Sequence, residues 1–145
     1  MKYVVIDFKS KEYQQMLDLR YEVLRKPLGL NFTAEQLAAE EHDILLGCFD
    51  DSESELLGCS VLSTVDEITL QLRQMAVATE HQGNGIGRSL IEYAEEVATC
   101  MGISKIILHA RKSVEGFYLK LGYHIVGDEF VEVTIPHFSM EKEIG

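Results

Sequence analysis

Between Glu67 and Ala78 the apolar positions change parity. Ile68, Leu70 and Leu72 are even and alternate with Thr69, Gln71 and Arg73, whereas Met75 and Val77 are odd. Side chains alternate across a strand with period two. A strand that keeps one face on a core through such a switch therefore holds one extra residue, most simply a β-bulge near Arg73–Met75. A bulge bends the strand away from its neighbour and leaves backbone groups unpaired. The competing reading is a strand buried on both faces, with Gln74 merely a polar residue facing the core.

A glycine-rich turn follows closely: Gln82-Gly83-Asn84-Gly85-Ile86-Gly87-Arg88-Ser89. It leads into a helix over about 85–101 whose apolar stripe is Ile86, Leu90, Ile91, Tyr93, Ala94, Val97, Ala98 and Met101, with Gly102 suited to its C-terminus. Three glycines in five residues let backbone approach a ligand closely. The helix start adds unpaired N–H groups and a positive dipole end, which together suit a diphosphate. Arg88 can add a full charge. A Walker A loop would need lysine where Arg88 stands, and a dinucleotide fingerprint starting at Gly83 would need glycine or alanine there.

The remaining pattern predicts a strand at 2–7 and a helix over 11–25 capped by Ser10. A short helix over 34–40 carries a Thr33/Gln36 capping box. Ile44–Phe49 and Leu56–Val65 read as a hairpin around an acidic turn. Then come a strand at Ile103–Ala110 and a helix capped by Ser113, with the stripe Val114, Phe117, Tyr118 and Leu121. Strands around Tyr123–Val126 and Phe130–Lys142 follow, the latter with a parity break assigned to Pro136-His137. Strands alternating with helices, and hairpins at both ends, predict one α/β domain over 1–145 built on a mixed sheet.

Charge and composition narrow the function. A net charge of −11 without a basic stripe argues against nucleic acid as a partner. No apolar run approaches ~18 residues, so no membrane span is expected. The apolar start breaks at Asp7, unlike an export signal. Cys48, Cys59 and Cys100 are odd in number and form no CxxC pair, as expected of reduced thiols in the cytoplasm. No histidine/cysteine cluster has metal-ligand spacing, so no metal is expected, and His42, His81 and His124 show no partner pattern. The acids at Glu40-Glu41-His42-Asp43 and Asp50–Glu55 read as solvated surface, with attraction of a cationic amine as the sharper alternative. Arg20 and Arg25 read as surface or helix-end charges rather than a carboxylate clamp.

Leu72-Arg73-Gln74-Met75-Ala76-Val77, then Gln82–Gly87, then Glu115-Gly116-Phe117-Tyr118-Leu119-Lys120-Leu121-Gly122-Tyr123 resemble, in order and spacing, the strand, acyl-CoA loop and Phe-Tyr helix of the GCN5-related N-acetyltransferase (GNAT) family. The ending, Thr134-Ile135-Pro136-His137-Phe138-Ser139-Met140, is similar to that of the ElaA/YjcF-like bacterial branch. The resemblance is good over 67–142 and loose before that. It implies a GNAT fold, with a bulged and splayed fourth strand and helices on both faces of the sheet. It also implies an N-acetyltransferase, with acetyl-CoA as co-substrate and a primary amine, small molecule or protein, as acceptor. The donor contacts implied are Met75, Ala76, Val77, Gln82, Gly83, Asn84, Gly85, Ile86, Gly87, Arg88, Ser89, Ser113, Phe117 and Tyr118. Tyr118 is the implied acid for the leaving thiolate. His137 is the first candidate for the base, because its intrinsic pKa lies near working pH, with Glu132 and His109 as runners-up. Asn84 stands where many relatives carry a cation, and Thr134 where glycine is usual. A non-catalytic acyl-CoA sensor and a nucleotide-binding regulator remain open beside the enzyme. An unpaired terminal strand leaves room for a homodimer.

Overall fold

The computed structural model describes residues 1–145. Seven strands form one sheet in the order β1-β2-β3-β4-β5-β7-β6. They are β1 (Lys2–Ile6), β2 (Ile44–Phe49), β3 (Leu56–Thr64), β4 (Thr69–Val77), β5 (Lys105–Arg111), β6 (His124–Glu132) and β7 (Ile135–Glu143). The helices are α1 (Lys11–Arg20), α2 (Ala34–Ala38), α3 (Ile86–Cys100) and α4 (Glu115–Lys120). All neighbours are antiparallel except β4 and β5, which run parallel because α3 returns the chain between them.

Both faces of the sheet are covered. On one, Tyr13 and Met16 of α1 pack on Leu45, Cys59, Val61 and Ala76. On the other, Ile91, Ala94 and Ala98 of α3 and Tyr118 of α4 lie over Leu46, Leu62, Leu70, Leu72, Ile106 and Leu108, and Leu90 packs with Cys48 and Leu57. Double coverage explains why β2 and β3 are apolar without alternation and almost wholly buried. Ser10 caps α1 by accepting the Tyr13 N–H at 3.1 Å, and both bonds of the Thr33/Gln36 capping box form.

The parity switch is a bulge. Val61 pairs with Arg73, but Cys59 pairs with Ala76, so β4 carries one residue more than β3 across that interval. Gln74 takes it up with φ 54°, a left-handed conformation uncommon outside glycine. Before it Leu70 and Leu72 face α3; after it Met75 and Val77 do, while Ala76 turns to α1. Ile68 lies outside the strand and is exposed.

Four expectations are corrected. The first helix is α-helical only to Arg20, and Tyr21–Arg25 is a π-helical segment, a wider winding that periodicity does not reveal. Phe130–Lys142 is not one strand kinked at proline. It is a hairpin turning at Val133-Thr134, both with positive φ, and the turn is what switches the parity. Ser113 lies in a 3₁₀ turn and caps nothing, since α4 starts after Val114 without a side-chain cap. Glu40 and Arg20 are not surface charges: they are 3% and 0% exposed and face each other.

Candidate active site

The β4–β5 ladder stops at Leu72–Leu108, although β4 runs on to Val77 and β5 to Arg111. Beyond the bulge the two strands part. Successive N–H groups of a strand point to opposite edges. The Ala78 N–H donates to the Leu57 carbonyl of β3 at 2.8 Å, so the Val77 N–H faces the edge that β5 has left, and that of Met75 lies two residues back on the same edge. The Val77 carbonyl on that edge accepts from Gln82 Nε2 at 3.0 Å, which ties the glycine-rich turn to the strand. A cleft of about 890 Å³ occupies the split.

The turn supplies its floor. The first helical bond of α3 runs from the Ser89 N–H to the Gly85 carbonyl, and no N–H from Gly83 to Arg88 donates to another part of the chain. Gly83 and Gly85 have φ of 85° and 80°, and a Cβ on either would meet nothing within 4 Å, so these amides stand open. At Gly87 a Cβ would come 3.4 Å from Phe117, which places the turn against α4. Six unpaired donors at a helix start fit a diphosphate. Of the donor contacts implied above, Asn84, Ser89 and Ser113 do not line the cleft; the rest do. Arg88 lines it while paired with Glu92 at 2.9 Å on the exposed side of α3.

Tyr118 is 8% exposed, and its edge meets the rings of Phe117 and Tyr123. Its hydroxyl has no partner inside the chain and is not sealed off, so it opens into the cleft. Burial pushes its pKa up to about 12, so it stays protonated at neutral pH.

His137, Glu132 and His109 meet on the opposite wall. His137 is 4% exposed and stacks on Phe130. Its Nδ1 lies 2.7 Å from the Ile135 carbonyl oxygen, which can only accept, so Nδ1 carries a proton and Nε2 is the nitrogen left to exchange one. Nε2 is 3.7 Å from Glu132 Oε2, while Glu132 Oε1 is 3.1 Å from His109 Nδ1. The candidate base and both runners-up thus form one cluster, brought together by the β6–β7 hairpin and the end of β5.

Three residues absent from the expectation, or given another role there, also line the cleft: Arg25 from the π-helical segment, Arg73 just before the bulge, and Arg111 at the end of β5. They come from three separate elements, so no local motif marks them. Arg25 lies over the Phe32 ring at 4.7 Å, as does Arg20. Arg20 in turn grips Glu40 with two bonds of 2.8 and 2.6 Å, and Tyr13 adds a third at 2.7 Å. Of the Asp50–Glu55 acids, Asp50 closes its own turn by accepting from the Ser54 and Glu55 amides, while Asp51, Glu53 and Glu55 lie against the N-terminal ammonium, Lys2 and His81. His42, His81 and His124 each lie near a glutamate, a partner the sequence did not indicate. Glu55, Glu80 and His81 bring ligand atoms within 4.8 Å of one another, with both glutamates exposed.

The cleft thus combines a mixed sheet split beyond a bulge, open amides at a helix start and a tyrosine hydroxyl in the split. The family model for the acetyltransferase (GNAT) domain matches residues 11–144, and the chain belongs to that family. GNAT acetyltransferases use acetyl-CoA as co-substrate. The uncharacterized N-acetyltransferase YjcF of Bacillus subtilis is 32% identical over 74 residues, covering 50% of this chain and 53% of that protein. The chain spans about half the length of the curated relatives it matches. Escherichia coli ElaA has a similar fold, with a TM-score of 0.84 at 16% identity over 99% of this chain and 100% of that one. An aminoglycoside 6'-N-acetyltransferase complexed with coenzyme A superposes with a TM-score of 0.82 at 20% identity, covering 99% and 97%. No helix of this chain is long and apolar enough to cross a membrane.

Proposed function

We propose that the protein transfers an acetyl group from acetyl-CoA to a primary amine by direct attack, the amine belonging to a small molecule or a protein. The observation that carries this reading is the run of unpaired amides from Gly83 to Arg88, set beside the free edge of β4 in the cleft that also holds Tyr118. The turn amides hold the diphosphate of the donor. The edge N–H groups of Met75 and Val77 donate to the thioester carbonyl, and each such donor contributes about 3–4 kcal/mol where charge develops on that oxygen.

The acceptor must lose a proton. For a lysine-like amine of pKa ~10.4 this costs roughly 4 kcal/mol near neutral pH. His137 Nε2, steadied by its Nδ1–H bond to Ile135 and backed by Glu132, accepts it. As the C–N bond forms and the C–S bond breaks, Tyr118 donates a hydrogen bond to the departing sulfur. With its pKa at about 12 and a thiol near about 8.5 by analogy with cysteine, Tyr118 stabilises the thiolate without fully surrendering its proton.

A cytoplasmic bacterial setting belongs to the same reading, supported by the free thiols and by bacterial relatives. If the chain forms a homodimer, the open edge of β6, where Ile125, Val126 and Val131 are exposed, is where pairing is expected. The test is thiol release from acetyl-CoA across a panel of amines. Amine-dependent release supports the enzyme. Tight acetyl-CoA binding without release with any amine would make it a sensor, and a preference for ATP or NAD over CoA would make it a nucleotide-binding regulator.

A further inference from the structure

The cleft carries charge that the reaction above does not use. Its charged lining is Arg25, Arg73, Arg88, Arg111 and Glu132, a surplus of cations in a chain of net charge −11. Arg88 belongs to the phosphate turn and pairs with Glu92. The other three form no ion pair within the chain, whereas the neighbouring Arg20 is paired with Glu40 through both terminal nitrogens. Arg73 has only a 3.4 Å bond to Ser63 Oγ, and Arg25 only the face of Phe32. Glu132, the single carboxylate in the lining, is held by His109. Asp43 also lies near Arg73, at more than ion-pair distance. Partial burial, and after it Arg20 and Arg111, hold Arg25 below its usual pKa, with Glu132 opposing them and Arg73 adding a smaller push downward.

Their placement is independent of the phosphate turn. Arg25 is carried by the π-helical segment that also puts Val23 and Leu24 on the cleft wall, and such winding is often found where function needs it. Arg111 is the register partner of His137, so cationic and proton-accepting groups stand side by side. Three guanidinium groups facing one carboxylate keep a net positive charge, and guanidinium groups are the usual means of recognising a planar anion.

We infer that the acceptor is an amine that also bears a carboxylate, with Arg25, Arg111 and Arg73 holding the carboxylate while the amine faces His137 and Glu132. This rests on the acetyltransferase reading and narrows it: free amino acids fit the charge of the site, whereas polycationic amines are repelled by it.

The test compares free α- and ω-amino acids, each with its own carboxamide, as acceptors in acetyl-CoA-dependent thiol release, alongside a direct titration of acetyl-CoA binding. The carboxamide removes only the charge and lowers the amine pKa, which gives it more neutral nucleophile, so a preference for the acid cannot come from amine basicity. The expected result is a kcat/KM at least about 10-fold higher for the free acid, the effect of one charge-assisted contact. Arg25→Gln and Arg111→Gln should each raise KM for that acid by about 10-fold, with acetyl-CoA affinity within about twofold of wild type. Carboxamides that match or outperform the acids overturn the inference and leave the enzyme intact. So does turnover of simple amines with none of any free acid, or variants that weaken acetyl-CoA instead of the acceptor. Failure to bind acetyl-CoA at all would strike the acetyltransferase reading itself.

Discussion

The two halves of the cleft are built from different material. The half proposed to hold the donor is mainly backbone: open amides from Gly83 to Arg88 and the free edge of β4 past Gln74. The half proposed to hold the acceptor is side chains delivered by five separate elements, namely Arg25 from the π-helical segment, Arg73 from β4, Arg111 from β5, Glu132 from β6 and His137 from β7. A backbone site needs few residue identities beyond glycine. A side-chain site can be retuned one residue at a time, so the donor half suits a constant ligand and the acceptor half a variable one.

The largest effect expected of any substitution is at the support of the acceptor half. Glu40→Ala leaves Arg20 as a buried, unpaired cation, which should cost about 3–5 kcal/mol of stability. Chemical denaturation reads this directly, and a loss below about 1 kcal/mol would show that the pair is not what anchors the Phe32–Arg25 wall. Next is the donor half. Gly83→Val with Gly85→Val places β-branched residues at positive φ and shields the amides, so CoA affinity by calorimetry should fall at least about 100-fold, the equivalent of about two charge-assisted bonds. Affinity unchanged in a folded double variant would break the contrast between backbone and side-chain halves.

Tyr118→Phe should lower kcat by about 10-fold or more and leave acetyl-CoA affinity nearly unaltered, conservatively below the usual range for acid–base help. Because burial raises the Tyr118 pKa to about 12, this hydroxyl is protonated, and able to donate, throughout the range below it. Any change of rate between about pH 7 and 10 therefore belongs to another group, and wild type and Tyr118→Phe should share it. A limb in that range lost with the hydroxyl would contradict the assignment.

The smallest effect is at the hairpin turn. Val133→Asn with Thr134→Gly supplies residues that favour the positive φ both positions adopt, and should add about 1 kcal/mol, read as a raised Tm.

The same contrast decides what the sequence reveals. The bulge was legible because strand periodicity is strict and Met75 and Val77 break it; the glycine-rich turn into α3 was legible because glycine spacing is local. Tyr118 could be placed by its helix stripe and by resemblance. The arginine cluster was not legible, because its members are 38 or more residues apart and only the sheet order brings them together. The burial of Arg20 and Glu40 is not legible in the sequence, because pairwise neutralisation inside a core leaves no periodic trace. The C-terminal parity break was real, yet it was assigned to Pro136 when Val133-Thr134 turns the chain: β-branched residues do not advertise a left-handed turn. The π-helical segment keeps an apolar side and so passes for ordinary helix.

Amide-resolved NMR during a CoA titration is the most direct test of the backbone-built donor half. The predicted result is large ¹H–¹⁵N shifts concentrated at Gly83–Arg88 and at Met75 and Val77, with little change at the amides of β1 and β6. Saturable binding that leaves those eight amides unmoved would contradict it.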